Sequence, residues 1–396
     1  MTTTGSEILA YPFNEDAGLE LDEAYAAARA TKGMLRVRLP HGEPAWLATR
    51  YADARFVLGD RRFSRAMATE KDEPRMAPGR RPGGILSMDP PDHTRLRTLV
   101  AKAFTMRRVE LLRPRVAELA AGLIEDMKAK GQPADLVEDY ALPIPVAVIC
   151  ELLGVPVEDR PKFRVWSDAA LSTSPLTTEE MMANQDELRA YMHVLVEQHR
   201  ARPQDDLMTA LIEARDVRDR LTELELVDLC IGILVAGHET TASQIPNFVY
   251  ALLEQPEQLA RLRADLDLIP AAVEELLRFV PLGAGAGFAR YATEDIHVGD
   301  VLVKEGEPVM VAIGAANRDA LQFTSAETLE FGRESNPHLG FGHGVHHCLG
   351  APLARLELQE ALRALLRDLP GLHLDGDIVW KTQMLVRGPR SMPIGW

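Results

Sequence analysis

FGHGVHHCLG, residues Phe341 to Gly350, is the densest run of chemistry in this sequence. It sets glycines, three imidazoles and one thiol directly ahead of a helical pattern, in which Leu358, Leu362, Leu365 and Leu369 recur at steps of four, three and four. A thiol at the start of such a helix has its thiolate stabilised by the helix dipole and by unpaired backbone amides. Gly344 and Gly350 lack a side chain, so backbone there can approach a flat ligand closely. Such a thiolate can bind iron. Taken alone, His343, His346, His347 and Cys348 also read as a zinc cluster, although no second cluster of metal ligands occurs elsewhere.

The whole pattern Phe-x-x-Gly-x-His-x-Cys-x-Gly resembles the haem-binding loop of the cytochrome P-450 superfamily. The resemblance implies haem b, iron protoporphyrin IX, with Cys348 as axial thiolate. Phe341 would shield the sulfur, His346 would hydrogen-bond a propionate, and Gly350 would lie beside the macrocycle.

AGHETT, Ala236 to Thr241, lies in an apolar helical stretch that Thr222 and Glu225 open as a capping box and that runs to about Glu254, interrupted by Pro246. A zinc-protease helix would need a second His four residues after His238, and position 242 is Ala. The segment resembles the superfamily's oxygen-activation sequence, with Ala236 and Gly237 against the haem, Glu239 as the acid and Thr240 as the alcohol. Adjacent helix positions do not share a face, so a water relay is required between the two. In the scheme the resemblance implies, Thr240 hydrogen-bonds the distal oxygen and Glu239 passes protons from solvent. A solvated Glu and a Thr bonding back to the preceding turn is the other reading of the same residues.

EELLR places Glu275 and Arg278 one helical turn apart, and resembles the superfamily's structural Glu-x-x-Arg element, with Arg333 of LEFGRES as third member. DPPDHTRLR puts His93 and Arg97 on one helical face; similarity assigns both, with Arg290, to the haem carboxylates. GAGAG, Gly283 to Gly287, lacks dinucleotide spacing. The resemblance implies a substrate pocket there, lined by Val235, Ala284, Ala286, Phe288, Met384 and Leu385. Residues 66–86, polar and rich in helix breakers, read as a substrate lid or a flexible surface loop.

Hydrophobic residues make up 46% and charged residues 26%, enough to bury a sizeable interior and too much apolar content for a disordered or collagen-like chain. Lys+Arg 44 against Asp+Glu 59 gives a net charge of −15, which disfavours nucleic acid or an anionic membrane as main partner. Cys150, Cys230 and Cys348 leave an odd thiol, which suits a reducing cytosol. The opening MTTTGSEILAYPF lacks a basic residue followed by an apolar stretch, so neither signal peptide nor anchor is expected. The longest apolar run, Leu229 to Gly237, is well short of the roughly 20 residues that span a bilayer.

No repeat and no Ser/Gly-rich linker divides the chain, so one domain over residues 1–396 is expected. Helical patterns dominate, Pro270 opening AAVEELLRFV among them, while LRVRL, PAWLAT, GFARYA, DIHVGDVLV and MLVRG read as short strands. The fold class is mainly α with a small β region. The resemblance implies the cytochrome P-450 fold, a long central helix over residues 222–254 above the haem and a haem-thiolate loop at 341–350. It further implies a cytoplasmic monooxygenase that takes electrons from a ferredoxin and its reductase, since no redox module is attached. Lys102, Arg107, Arg108, Arg113, Arg115 and Arg355 are the expected docking face on the cysteine side. FTMRRVELLRPRV and its like resemble actinobacterial members that tailor natural products, implying hydroxylation or epoxidation of a bulky, hydrophobic, macrolide-like substrate. Oxidative C–N or C–C coupling of an indole- or peptide-type substrate is the alternative, followed by a catalytically silent haem scaffold.

Overall fold

The Thr222 hydroxyl accepts the Glu225 amide at 3.2 Å while the Glu225 carboxylate accepts the Thr222 amide at 2.7 Å, and this reciprocal cap starts the longest helix of the chain. The computed structural model describes all residues except 1–7, 14–17, 32, 79–82, 172–177, 218–219, 284 and 286. The central helix, Glu223–Leu253, continues through Pro246 rather than breaking there. Pro246 is buried, and burial in the core offsets the lost hydrogen bond. The apolar stretch is also longer than Leu229 to Gly237. Among the described residues this is the one helix long and apolar enough to cross a membrane, yet 61% of its apolar window is buried inside the protein. It packs against the helices Pro143–Leu153, Thr178–Ala201 and Ala351–Asp368, which is the position of a core helix.

Just over half of the chain, 53%, is helical, and the helical body owns the largest apolar core. Beside it lies a six-stranded sheet in the order Ile8–Ala10, Met34–Arg38, Ala45–Ala48, Pro308–Val311, Arg290–Ala292, Phe63–Ser64. Its alternating inward residues, among them Val37, Leu47, Tyr291 and Met310, form a separate small core. DIHVGDVLV forms the hairpin Ile296–Val298 with Val301–Val303. MLVRG is not a strand: Val379–Trp380 and Pro389–Ser391 pair on either side of it. The segment between them forms a loop, with the Lys381 amide donating to the Gly388 carbonyl at 2.9 Å and Gln383 at φ 52. Within 66–86, short 3-10 turns at Ala66–Thr69 and Ile85–Ser87 and a bridge from His41 to Arg75 give local order; residues 79–82 lie outside the described residues.

One buried network fixes the approach to the cysteine loop. All five guanidinium donors of Arg278 are used, two on Glu275 at 2.7 and 2.8 Å and three on the carbonyls of Asn317, Ala326 and Thr328. Arg333 adds bonds of 3.1 and 3.2 Å to Glu275, and the Glu330 amide and Asn336 side chain add two more. Glu275 and Arg278 are each 1% exposed, so an exposed helix pair does not describe them. Burial pushes the Glu275 carboxyl up, but Arg278 and Arg333 outweigh it and hold the group below its ordinary range. Removing one partner leaves an uncompensated buried charge, which costs about 3–5 kcal/mol. Glu275→Ala should therefore lower the denaturant midpoint by that equivalent, and Arg278→Lys should also destabilise, because an ammonium cannot fill five fixed donor positions. Unfolding curves that superimpose on wild type would contradict this account.

Candidate functional site

Next to Glu275, the Glu274 carboxylate takes Arg355 at 2.7 and 2.9 Å and His338 at 3.1 Å. Burial raises Glu274, yet His338 and Arg355 draw it down to about 2. Arg355 also lies over the Phe341 ring at 4.5 Å, so one ion pair sets the first aromatic residue of the cysteine loop. The loop closes where the Cys348 amide donates to the Phe341 carbonyl at 2.8 Å. Gly344 has φ +73, and a Cβ there would stand 2.4 Å from the Leu58 carbonyl oxygen. Its bareness thus serves packing against the helix Tyr51–Gly59 rather than ligand approach. At Gly350 a Cβ would meet nothing within 4 Å, so that side of the loop is open.

Cys150 and Cys230 are buried, whereas Cys348 is exposed. Burial pushes the Cys230 thiol up to about 12. Desolvation raises the Cys348 thiol, and the amides of Gly350 and Ala351 with the guanidinium groups of Arg97 and Arg355 act in the opposite sense. The zinc reading fails on geometry: among the described residues no group of three His, Cys, Asp or Glu side chains could hold a metal ion. The three imidazoles diverge, His343 lying against Gly59, His346 against His93 at 4.4 Å between ring centres, and His347 near Phe341.

Beside the loop, His93, Arg97, Arg290 and His346 come together with Arg65, which the sequence reading missed. Arg97 donates to the His347 carbonyl at 2.7 Å. Arg65 is held by Glu73 at 2.7 Å, by the Leu86 carbonyl at 3.0 Å and by the Ala289 carbonyl. His346 is pushed down to about 4 by burial, His93, Arg290 and Arg65. Its buried Nε2 has no partner. Arg290 is lowered to about 10 by burial and by Arg65, and it makes no ion pair with a described residue. Among the described residues Asp89 is the acid acting on Arg290 and His346, and it already accepts from Ser64 and the Arg65 amide, while Glu73 is engaged by Arg65. An excess of buried donors with both nearby carboxylates already engaged fits a ligand bearing carboxylates, as a haem edge does.

The central helix is open along one stripe in the middle of the core. Gly232 and Ala236 are exposed, Val235 and Thr240 partly so, while Leu234, His238, Glu239 and Thr241 are buried; the four-residue steps 232, 236, 240 mark one face. The Thr240 hydroxyl donates to the Ala236 carbonyl at 2.8 Å, the back-bond that the alternative reading anticipated. Glu239 is not solvated: it is 3% exposed and ion-paired with Lys381. Gly237 turns from the open stripe, since a Cβ on it would stand 2.7 Å from Ile149 Cδ1. It lets the helix Pro143–Leu153 approach. Thr241 bonds Glu357, a fully buried carboxyl that desolvation raises to about 8, and so ties the central helix to the helix that follows Cys348. Of the residues expected to line the pocket, Phe288 is 42% exposed under Arg65 at 5.1 Å. Met384 is buried, and the Leu385 amide donates to the Leu171 carbonyl at 3.0 Å. Ala284 and Ala286 lie outside the described residues.

A mainly α fold with a small sheet, built around this helix and the loop ahead of Ala351–Asp368, is that of the haem-thiolate monooxygenases. The chain belongs to the cytochrome P450 family: residues 163–370 match the family's sequence description, "Cytochrome P450". It is 53% identical over 396 residues to mycinamicin IV hydroxylase/epoxidase of Micromonospora griseorubida, covering 99% of this chain and all of that protein. Nocardicin C N-oxygenase of Nocardia uniformis subsp. tsuyamanensis is 50% identical over 398 residues, 99% of this chain and all of the relative. The solved structure of cytochrome P450mel 107F1, described as having biaryl coupling reactivity, superposes with a TM-score of 0.94 at 38% identity, over 98% of this chain and 100% of the other.

Charge-assisted hydrogen bonds contribute about 1.5–3 kcal/mol each, so loss of one should speed haem release roughly tenfold or more. Arg290→Leu and His346→Ala should each accelerate haem transfer to apomyoglobin by that factor. Wild-type transfer rates in both variants would place the haem carboxylates elsewhere.

Proposed function

We propose that Cys348 is the axial ligand of haem b and that the enzyme hydroxylates or epoxidises a bulky, macrolide-like natural product in secondary metabolism. The observation that carries this reading is Cys348, an exposed residue where the other two cysteines are buried, set just ahead of a helix start beside a cluster of buried donors with too few acceptors. The end-to-end 53% identity to a mycinamicin hydroxylase/epoxidase supports the substrate class. The balance is one substrate C–H, dioxygen, two electrons and two protons giving one C–OH and water.

Haem with a thiolate ligand supplies dioxygen activation and transfer of one oxygen atom. This chain's residues do the rest. Thr240 holds its Oγ on the open stripe, where it would direct a proton. Glu239 stores a carboxylate on the buried flank, so a water must join the two. Phe341 screens the Cys348 side, and Val235 with Phe288 and Met384 bounds the substrate side. Two of the three free cysteines are buried, which suits action in the cytoplasm.

Electrons come from a separate ferredoxin served by its reductase. The docking face is narrower than the six basic residues read from the sequence. Arg113 pairs with Glu110 and Glu360, Arg115 with Glu118 and Glu151, and Arg355 with Glu274. Lys102, Arg107 and Arg108 form no ion pair with a described residue, and Met106–Glu110 packs on the helix Ala351–Asp368 behind Cys348. Oxidative coupling is the second reading, supported by the 0.94 superposition on a biaryl-coupling relative.

Four measurements test this. The ferrous carbon monoxide complex should show the red-shifted Soret band of a thiolate ligand and lose it in Cys348→Ser. Product mass separates the readings: one added oxygen supports oxygenation, loss of two hydrogens without added oxygen supports coupling, and no turnover across a macrolide panel leaves a silent scaffold. In Thr240→Ala, substrate should still bind within about twofold while most electrons go to peroxide; unchanged product per electron would remove Thr240 from the relay. For docking, Arg107→Glu with Arg108→Glu should slow first-electron transfer about tenfold at low salt and less at high salt, where a Debye length near 8 Å screens the contact. An unchanged rate would move the face elsewhere.

A further inference from the structure

Glu239 sits one position from Thr240, yet its carboxylate is committed to a partner far along the chain. Lys381 Nζ meets Glu239 Oε1 and donates to Ser243 Oγ at 2.8 Å. Ser243 in turn donates to the Glu239 carbonyl at 2.8 Å and lies 3.4 Å from its Oε1. Lys381 is 7% exposed, Glu239 3% and Ser243 0%, so the charges are balanced away from water. A buried ammonium and carboxylate hold each other in place, because separating them would leave each charge without compensation.

Lys381 is carried by the loop between Val379–Trp380 and Pro389–Ser391, and that loop touches three parts of the molecule. Gly388 abuts the central helix, a Cβ there reaching 3.3 Å from Ser243 Cβ, and Asn247 donates to the Arg387 carbonyl at 3.0 Å. The Arg387 amide donates to the Leu282 carbonyl at 2.7 Å, with a bridge between Val386 and Gly283. The Leu385 amide donates to the Leu171 carbonyl, at the end of the helix Arg160–Leu171. One short loop therefore links the acid to Leu282 and Gly283 and to the end of a second helix.

We propose that Lys381 is a positioning residue for the carboxylate of Glu239, holding it on the buried flank of the central helix and coupling its orientation to the substrate-side loop 381–388. This rests on the reading of Glu239 as the acid of the proton relay. With Lys381 in place, Glu239 is fixed in one rotamer and kept off the open stripe. Without Lys381, the carboxylate has no fixed orientation and proton delivery loses its timing relative to substrate.

The holoenzyme variants Lys381→Met, Lys381→Arg, Glu239→Gln and Glu239→Gln/Lys381→Met test this, with a turned-over macrolide as probe. In Lys381→Met, product per NADH should fall about five- to tenfold with peroxide rising, while the substrate dissociation constant, read by the ferric spin shift, stays within about twofold. Lys381→Arg should restore coupling to within about twofold of wild type. The double variant should couple no worse than Glu239→Gln alone, and its melting temperature should exceed that of Lys381→Met, since the unpaired charge is gone. Wild-type coupling in Lys381→Met, failure of Arg to restore it, or losses that multiply in the double variant would each overturn the proposal. If Lys381→Met does not hold haem, the Arg and double variants decide by the same criteria. Absence of the thiolate carbon monoxide band in the wild type would instead refute the haem-thiolate reading itself, before any variant is compared.

Discussion

Two consecutive carboxylates, Glu274 and Glu275, hold the cysteine side of this protein together. Neighbouring positions on a helix point about 100° apart, so the pair addresses two different stretches of chain. Glu275 gathers Arg278, Arg333, Asn336 and the Glu330 amide, and through Arg278 the carbonyls of residues 317, 326 and 328. Glu274 takes His338 and Arg355, one from each side of the loop. A loop rich in glycine has no regular structure to hold it, and anchoring its two flanks to one rigid helix supplies the fixed geometry that a ligand-bearing thiol requires.

The protein carries a net charge of −15, yet the group around His346 is cationic and short of acids. These facts concern different regions. Many surface carboxylates pair with arginine in the open, whereas Arg290 and His93 sit where desolvation works against charge. Burial lowers both imidazoles, His346 to about 4, so the group relies on guanidinium for its charge and on neutral imidazole for its donors. Carboxylates arriving there would satisfy both kinds at once.

What the sequence made legible is what is local. The capping box at Thr222, the Pro270 helix start, the leucine spacing after Cys348 and the Glu275–Arg278 turn all follow from residues within a few positions of each other. Arg333 was reached only because the family resemblance supplied a third member. Glu274, Arg65 and Lys381 were missed for a common reason: each acts on a group 64 to 224 residues away, and nothing in the spacing of a single charged side chain marks its distant partner. MLVRG misled because alternating apolar residues suit a strand. Closure by Lys381 and Gly388 instead made those residues a loop. Gly344 and Gly237 were read as room for a ligand, when each is bare so that another backbone or side chain can come close.

Glu239, Thr240 and Thr241 show how one helix turn can organise the whole site. With about 100° between successive side chains, the three point to three separate bodies: Glu239 to the C-terminal loop through Lys381, Thr240 to the open stripe, and Thr241 to Glu357 on the helix behind Cys348. The outer two are buried and bonded, and so fix the rotation of the helix about its axis. That rotation determines where the middle hydroxyl points. Thr240 itself needs no tertiary partner beyond the Ala236 carbonyl, because its neighbours on either side hold it in register. A helix locked only by apolar packing would tolerate small rotations, since apolar contacts are non-directional, whereas hydrogen bonds to two different elements are not. The buried polar residues of AGHETT therefore serve architecture, and the hydroxyl on the open face is aimed by the two side chains that face away from it.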